Sequence, residues 1–156
     1  MMPTPELAPV AEEHLRTALR LSKELVARHP DVPAYVSSQV HVYHKLAGVL
    51  GRTGRADEAE SSLREALRLQ TSLAGRFPEV ASYKASLAVF QRSLARLLSK
   101  QGELKDAQSS LKESIALLEG MLDDGCELPY VDRLLAEACL NLADIQERIE
   151  EPADSP

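Results

Sequence analysis

The sequence predicts an all-α fold of about six antiparallel helices stacked as a repeat array. The first observation is a repeat, because His29–Ala74 aligns without a gap on Phe77–Leu122, 48 residues further along the chain. A fixed period of this length indicates stacked helical units rather than one globular core. The second is composition, since Leu and Ala dominate while Trp is absent, and Leu and Ala favour helix. The third is a pattern of apolar residues three or four positions apart, in segments that prolines and glycines separate.

The first two helices are predicted at about residues 5–28 and 32–52. Leu15, Ala18 and Leu19 begin an apolar stripe along the first helix. This helix is expected to end at the prolines that follow it, because a residue before proline is pushed out of the helical region. We expect Asp31 to cap the second helix. Gly54 is expected to end it, since a residue without Cβ can take a positive φ angle.

The remaining helices are predicted at about residues 56–76, 80–100, 104–122 and 130–149. The breaks between them are Phe77-Pro78-Glu79, Gly102, and the segment from Gly125 to Pro129. Such short connections predict antiparallel neighbours. Residues 150–156 are acidic and contain two prolines, so we expect them to form a disordered tail.

Composition and charge argue against several classes of protein. The net charge of −6 disfavours a nucleic-acid-binding protein, which needs a basic surface. No apolar run reaches the roughly 18–20 residues of a membrane helix, and residues 1–10 lack the basic start of a signal peptide. We therefore expect a cytoplasmic protein without membrane contact. Two cysteines are too few for a disulfide scaffold or a four-ligand metal site. No cofactor is expected. Cys139 is expected to be a buried, reduced thiol in the last helix.

The turns of the two full copies resemble the tetratricopeptide repeat. In that family a Leu-Gly/Ala pair lies midway in the first helix, a Gly closes the turn and an Ala opens the second helix. The matching residues are Leu46-Ala47, Gly54 and Ala59, and then Leu94-Ala95, Gly102 and Ala107. The period of 48 residues exceeds the usual 34. The longer repeat resembles the extended repeats found beside bacterial serine/threonine kinase domains.

This resemblance implies a right-handed superhelical solenoid that serves as a protein–protein interaction module and is not an enzyme. On this basis, residues 1–149 are predicted to form one repeat domain. Its parts are a half-repeat at 5–28, repeats at 32–76 and 80–123, and a half-repeat at 130–149.

The resemblance also selects candidate binding residues, because the first helices of tetratricopeptide arrays line a concave groove. These residues are His41, His44, Lys45, Arg52, Arg92, Arg96, Lys100 and Asn141. The helix with Arg92 and Arg96 carries +4 and no acid. Like charges four residues apart destabilise a helix, which favours a binding role. We predict that the groove accepts another protein, through an acidic or C-terminal peptide. The alternative is a solvated face that neighbouring acidic helices neutralise.

Other functions have weaker support in the sequence. His41 and His44 lie one turn apart, but two imidazoles without a third ligand make a weak metal site. Residues 51–55 contain two glycines but lack the spacing of a phosphate loop. No nucleophile and base are arranged as in an enzyme. A second hypothesis is self-assembly into a homo-oligomer through the terminal helices. Leu7, Leu140 and Ile149 are expected near the open faces of those helices, and helical geometry predicts that Leu140 points outward.

Overall fold

Six α-helices form the chain in a computed structural model that describes residues 7–151. They are α1 (Ala8–Arg28), α2 (Pro33–Arg52), α3 (Ala56–Arg76), α4 (Ala81–Lys100), α5 (Leu104–Asp123) and α6 (Val131–Glu150). No strand occurs within this part of the chain. The prediction of an all-α fold with six helices is therefore confirmed.

The helix ends agree with the sequence pattern to within a few residues, with one difference at the C-terminus. Glu150 still belongs to α6, so the predicted tail cannot begin there. Glu151 is the last described residue, and residues 152–156 of the predicted tail lie outside the described part of the chain. Residues 5 and 6 of the first predicted helix lie outside them as well.

The chain divides into two compact units, Met1–Leu73 and Ala74–Pro156. The first contains α1, α2 and most of α3, and the second contains α4, α5 and α6. The boundary falls in the last turn of α3. The single repeat domain over residues 1–149 stays a prediction.

The Met1–Leu73 unit buries one stripe of each helix, as the apolar spacing predicts. Helix α1 packs against α2, and the core residues of α2 include Val40, Leu46 and Leu50. From α3 the buried residues include Ala59, Leu63, Ala66 and Leu73. The alanines leave room for the neighbouring backbone at native packing density.

The Ala74–Pro156 unit has a core shared by three helices, because α5 packs against both α4 and α6. One buried cluster consists of Ala85, Ala88, Leu118, Met121, Val131 and Leu134. Burial of each large aliphatic side chain contributes about 1.5–3 kcal/mol. The buried Ser114 hydroxyl donates to the Ala88 carbonyl at 2.8 Å. This bond satisfies the hydroxyl and indicates that α5 lies close to α4 at this point.

The turns after α2 and α4 share one backbone geometry built on glycine. Gly54 has φ 78° and Gly102 has φ 83°, a region that costs other residues roughly 1–2 kcal/mol. The Arg55 N–H then donates to the Leu50 carbonyl at 2.9 Å, and the same bond follows Gly102. This pattern is the Schellman helix end. The prediction that Gly54 ends the second helix is confirmed.

The start of α2 differs from the prediction. Its N-cap residue is Val32, and no side-chain hydrogen bond caps the helix, so the expectation for Asp31 is wrong. Pro33 occupies the first helical position, where a missing N–H costs nothing because the donors of the first turn have no partner within the helix. The Val32 N–H bonds to the His29 carbonyl at 3.2 Å. A proline, rather than an aspartate side chain, therefore begins this helix.

Four charged residues link α1 to the start of α3 within the Met1–Leu73 unit. Arg55 Nη1 donates to both carboxylate oxygens of Glu12, at 2.7 and 2.8 Å, and two other nitrogen atoms of Arg55 reach Glu58 at 2.7 Å. Arg16 also contacts Glu12 at 2.8 Å and Glu58 at 3.3 Å. The hydrogen bonds lower the pKa of both glutamates, chiefly through Arg16 for Glu12 and through Arg55 for Glu58.

Candidate functional site

The candidate residues of α2 form a short basic face on the Met1–Leu73 unit. His41, Lys45 and Arg52 are exposed, and His44 is half-buried. Their spacing places His41, Lys45 and Arg52 on one side of the helix. The Nδ1–H of His41 donates to the Ser37 carbonyl at 2.8 Å. This bond fixes the direction of the imidazole ring on the helix surface.

The candidate residues of the Ala74–Pro156 unit lie at a narrow cleft between α4 and α6, with a volume of about 140 Å³. Its lining residues are Arg92, Ala95, Arg96, Ser99, Leu111, Asn141, Asp144, Ile145 and Arg148. The structure thus brings together three candidates, Arg92, Arg96 and Asn141. The fourth, Lys100, is exposed and lies outside the lining.

Arg92 is already paired inside this unit. Its Nη1 donates to Glu137 Oε2 of α6, and Arg133 Nη1 reaches the other oxygen of that carboxylate at 2.9 Å. These hydrogen bonds, the one from Arg92 being the stronger influence, hold the pKa of Glu137 below its usual value of 4.5. The structure therefore indicates that Glu137 of α6 neutralises the charge of Arg92, so this side chain is not free to bind a ligand.

This ion pair predicts a pH dependence of stability. A carboxylate with a lowered pKa contributes stability that is full above its unfolded pKa and is lost as the pH falls through the folded pKa. We expect the stability difference between wild type and Glu137→Gln to be constant at neutral pH. It should shrink below about pH 4.5. Urea unfolding at neutral and acidic pH measures it. The control is Glu147→Gln, because Glu147 makes no ion pair with any described residue. If the stability difference between wild type and Glu137→Gln stayed the same at low pH, the prediction would be contradicted.

Arg148 lines the cleft from α6 and reaches the end of α4. Its Nη1 donates to the Ser99 hydroxyl, and its Nη2 donates to the Ser99 carbonyl at 3.2 Å. Carbonyls in the last turn of a helix lack partners within the helix, and a cation there is favourable. Sequence reasoning missed Ser99. Its spacing of three from Arg96 and seven from Arg92 places it on the same face of α4, so the signal was present.

Arg96 differs from its neighbours in its charge environment. It is exposed at the cleft and makes no ion pair with any described residue. Asp144, on α6, is the acidic residue in the lining, whereas Arg92, Arg96 and Arg148 are basic. Arg92 is paired to Glu137 and Arg148 is hydrogen-bonded to Ser99, so Arg96 is the cleft arginine whose charge is least engaged by the described residues.

The size of the cleft limits what it can hold. Its volume of about 140 Å³ is below the roughly 300–1,000 Å³ of sites that enclose whole small molecules. Ala95, Leu111 and Ile145 contribute apolar surface beside the charged groups. The arrangement therefore suits one carboxylate-bearing side chain or a chain end, with its aliphatic stem against the apolar residues.

A larger open depression of about 680 Å³ lies on the Met1–Leu73 unit beside Tyr43. Its two arginines pair with glutamates of the same helix, since Arg64 contacts Glu60 at 2.8 Å and Arg68 contacts Glu65 at 2.6 Å. Such pairs between exposed neighbours on a helix are common and contribute little. This depression therefore offers less free positive charge than the cleft in the other unit.

Three further expectations concern metal sites, membrane helices and the burial of Cys139. Among residues 7–151, no three His, Cys, Asp or Glu side chains are grouped to hold a metal, and no helix has the length and apolarity needed to cross a membrane. Cys126 is half-buried and Cys139 is exposed, both as free thiols, so the predicted burial of Cys139 is wrong. The preceding residue, Ala138, faces the core instead. The apolar stripe of α6 is therefore narrower than the sequence indicated.

Comparison with known families supports the resemblance. Residues 40–78 match the family model of the tetratricopeptide repeat. The matched segment begins within α2 and includes Leu46, Ala47, Gly54 and Ala59, so the resemblance is confirmed there. No curated protein matches the chain significantly. Tetratricopeptide repeats generally mediate protein–protein interaction and are non-catalytic modules.

Proposed function

Since the chain carries a tetratricopeptide repeat, we propose that it is a protein-interaction module that binds an acidic peptide in the cleft between α4 and α6. The observation that supports this most is Arg96. Its side chain is exposed at the cleft without a carboxylate partner among the described residues. Because Arg96 makes no internal ion pair among these residues, a ligand can bind its guanidinium without displacing a carboxylate of the chain.

The chemistry of the lining suits a carboxylate. The guanidinium of Arg96 can donate two parallel N–H···O bonds to a carboxylate, a geometry that lysine cannot reproduce. Asn141 adds an amide donor from α6, and Arg148 adds a second guanidinium. The ligand group is an aspartate or glutamate side chain or a C-terminal carboxylate.

The other candidate residues have different parts in this proposal. Arg92 is a positioning residue, because its pairing with Glu137 joins α4 to α6 beside the cleft. Lys100 attracts acidic ligands over a Debye length of roughly 8–10 Å. The candidates on α2 form a separate basic face for acidic segments of a partner. They are His41, His44, Lys45 and Arg52.

Charge reversal at Arg96 tests the proposal. The probe is a fluorescent hexapeptide of alternating Glu and Gly residues with a free C-terminal carboxylate. We expect Arg96→Glu to weaken its binding by about 10- to 100-fold, because a hydrogen bond to a charged group contributes roughly 1.5–3 kcal/mol and 1.4 kcal/mol corresponds to a factor of ten. Fluorescence anisotropy at low and physiological salt measures the Kd. Added salt should weaken wild-type binding more than that of the variant.

The matched control is Lys112→Glu, which makes the same charge change at an exposed position of α5 outside the cleft lining. An amidated peptide and a peptide with Gln in place of Glu show whether the chain end or the side chains are bound. Equal Kd values for Arg96→Glu and Lys112→Glu would show that only the net charge matters, and the cleft would then be excluded as the site.

A further inference from the structure

Helix α1 exposes apolar side chains at positions that are buried in the other odd-numbered helices, α3 and α5. Leu25 is 41 % exposed, whereas Leu73 and Met121, which stand 48 and 96 residues later, are 1 % and 4 % exposed. Leu21 is exposed too and corresponds to the half-buried Leu117. Helix α1 therefore has the apolar side chains with which α3 and α5 pack against neighbouring helices, but in α1 these side chains stay exposed.

The second unit shows which kind of helix covers this face. Met121 of α5 belongs to a buried cluster with residues of both α4 and α6, and it stands seven residues after Ser114, so the two share one face of α5. On this face, Ser114 donates to the Ala88 carbonyl at 2.8 Å. Helix α5 also packs against the following helix, α6, just as α1 packs against α2. The uncovered face of α1 is thus the one that takes a preceding even-numbered helix.

Helix α6 is an even-numbered helix that presents the complementary half of this interface. Its Ala136 and Ala143 are exposed. The corresponding residues of α4, Ala88 and Ala95, stand 48 residues earlier and are buried. Alanine at these positions allows an odd-numbered helix to approach as closely as α5 approaches α4. The face that α6 leaves open therefore has the same small residues that receive α5.

We propose that α1 of one copy packs against α6 of a second copy in the way that α5 packs against α4. The repeat register places Ala18 of one copy, the counterpart of Ser114, against Ala136 of the other, the counterpart of Ala88. This contact joins two different surfaces, so it is heterologous and extends into open chains or rings. The proposal depends on helix packing and is independent of the peptide cleft.

Disulfide trapping tests this register directly. In a background of Cys126→Ser and Cys139→Ser, Ala18→Cys and Ala136→Cys are made as two separate proteins. The counterpart residues, Ser114 and Ala88, lie close enough for a 2.8 Å hydrogen bond, and a disulfide needs Cα atoms about 4.4–6.8 Å apart. We expect the mixture, on mild oxidation, to give a mixed dimer. A protein with both cysteines should give a ladder of oligomers on a non-reducing gel.

The matched control for trapping moves the cysteine to the outer face of α1. Arg20→Cys replaces an exposed residue whose counterparts, Arg68 and Ala116, are also exposed. Together with Ala136→Cys it should give no mixed dimer above the background of random collision. Disulfide dimers of Ala18→Cys with itself, exceeding the mixed dimer, would indicate a symmetric contact and overturn the proposal.

Sedimentation velocity of the full chain gives a second, disulfide-free test. We expect the wild-type weight-average mass to rise from micromolar to millimolar concentration beyond that of a dimer. Leu25→Glu should shift this rise to at least tenfold higher concentration. Ala27→Glu is the control, because Ala27 and its counterparts Gly75 and Asp123 are exposed. A wild-type protein that stays monomeric throughout, or equal effects of the two variants, would rule out the head-to-tail contact.

Discussion

Leu118→Ala is expected to lower the free energy of unfolding of the Ala74–Pro156 unit by about 2–5 kcal/mol. Leu118 is fully buried and belongs to the cluster with Ala88, Met121 and Val131. Shortening its side chain to a methyl group loses transfer free energy and leaves a cavity that the surrounding helices fill only in part. Because α4, α5 and α6 all contribute to this cluster, the loss should affect the whole unit.

The effect of Leu118→Ala is measured by urea unfolding together with hydrogen exchange of peptides from α4, α5 and α6. The matched control is Leu140→Ala in α6, because Leu140 is 66 % exposed. This exposure also confirms that Leu140 points outward, as the sequence predicts. Surface substitutions of this kind stay within about 0.5 kcal/mol. Similar losses for the two variants would contradict the assignment of Leu118 to the core.

Ala107→Leu is expected to destabilise the same unit by about 1–3 kcal/mol for the opposite reason. Ala107 is fully buried in the first turns of α5, and its counterpart Ala59 is fully buried in α3. An added isopropyl group has no space at this density and forces side chains or backbone to shift. The small residue is therefore required by the approach of neighbouring helices rather than by helix propensity.

The control for Ala107→Leu is Ala116→Leu, the same substitution at an exposed position of the same helix. Ala and Leu have similar helix propensities, so this variant should unfold at nearly the wild-type urea concentration. Circular dichroism during urea unfolding compares the two proteins. If Ala107→Leu unfolded at the same urea concentration as Ala116→Leu, close packing at Ala107 would be refuted.

The fold could be predicted from the sequence because its signals are local and occur twice. Gly54 and Gly102 mark equivalent helix ends, and the apolar stripes recur at the same offsets. The errors concern single residues whose surroundings depend on nearby residues and on neighbouring helices of the same chain. Asp31 has the chemistry of a cap, but Pro33 already fixes the start of α2. Cys139 lies next to the buried Ala138, and helix periodicity does not show how far a neighbouring helix covers that stripe.

The candidate site could be predicted only in part. The repeat register selected positions on α4 and α6 that do line one cleft, including Arg92, Arg96 and Asn141. In the sequence, Arg92 and Arg96 are equivalent cations one turn apart. Their different roles arise because Glu137 of α6 lies beside Arg92. That pairing depends on how two helices separated by α5 are placed, and no pattern within either helix encodes it.

The ion pairs between helices join residues that are about one repeat apart along the chain. The separations are 42 residues for Arg16–Glu58, 43 for Arg55–Glu12 and 45 for Arg92–Glu137. The entropy cost of closing a loop grows with its length, and proteins with contacts between nearby residues fold in microseconds to milliseconds. Each of these ion pairs lies within one of the two units, so each can form without any residue of the other unit, and the loop that closes it is no longer than about one repeat.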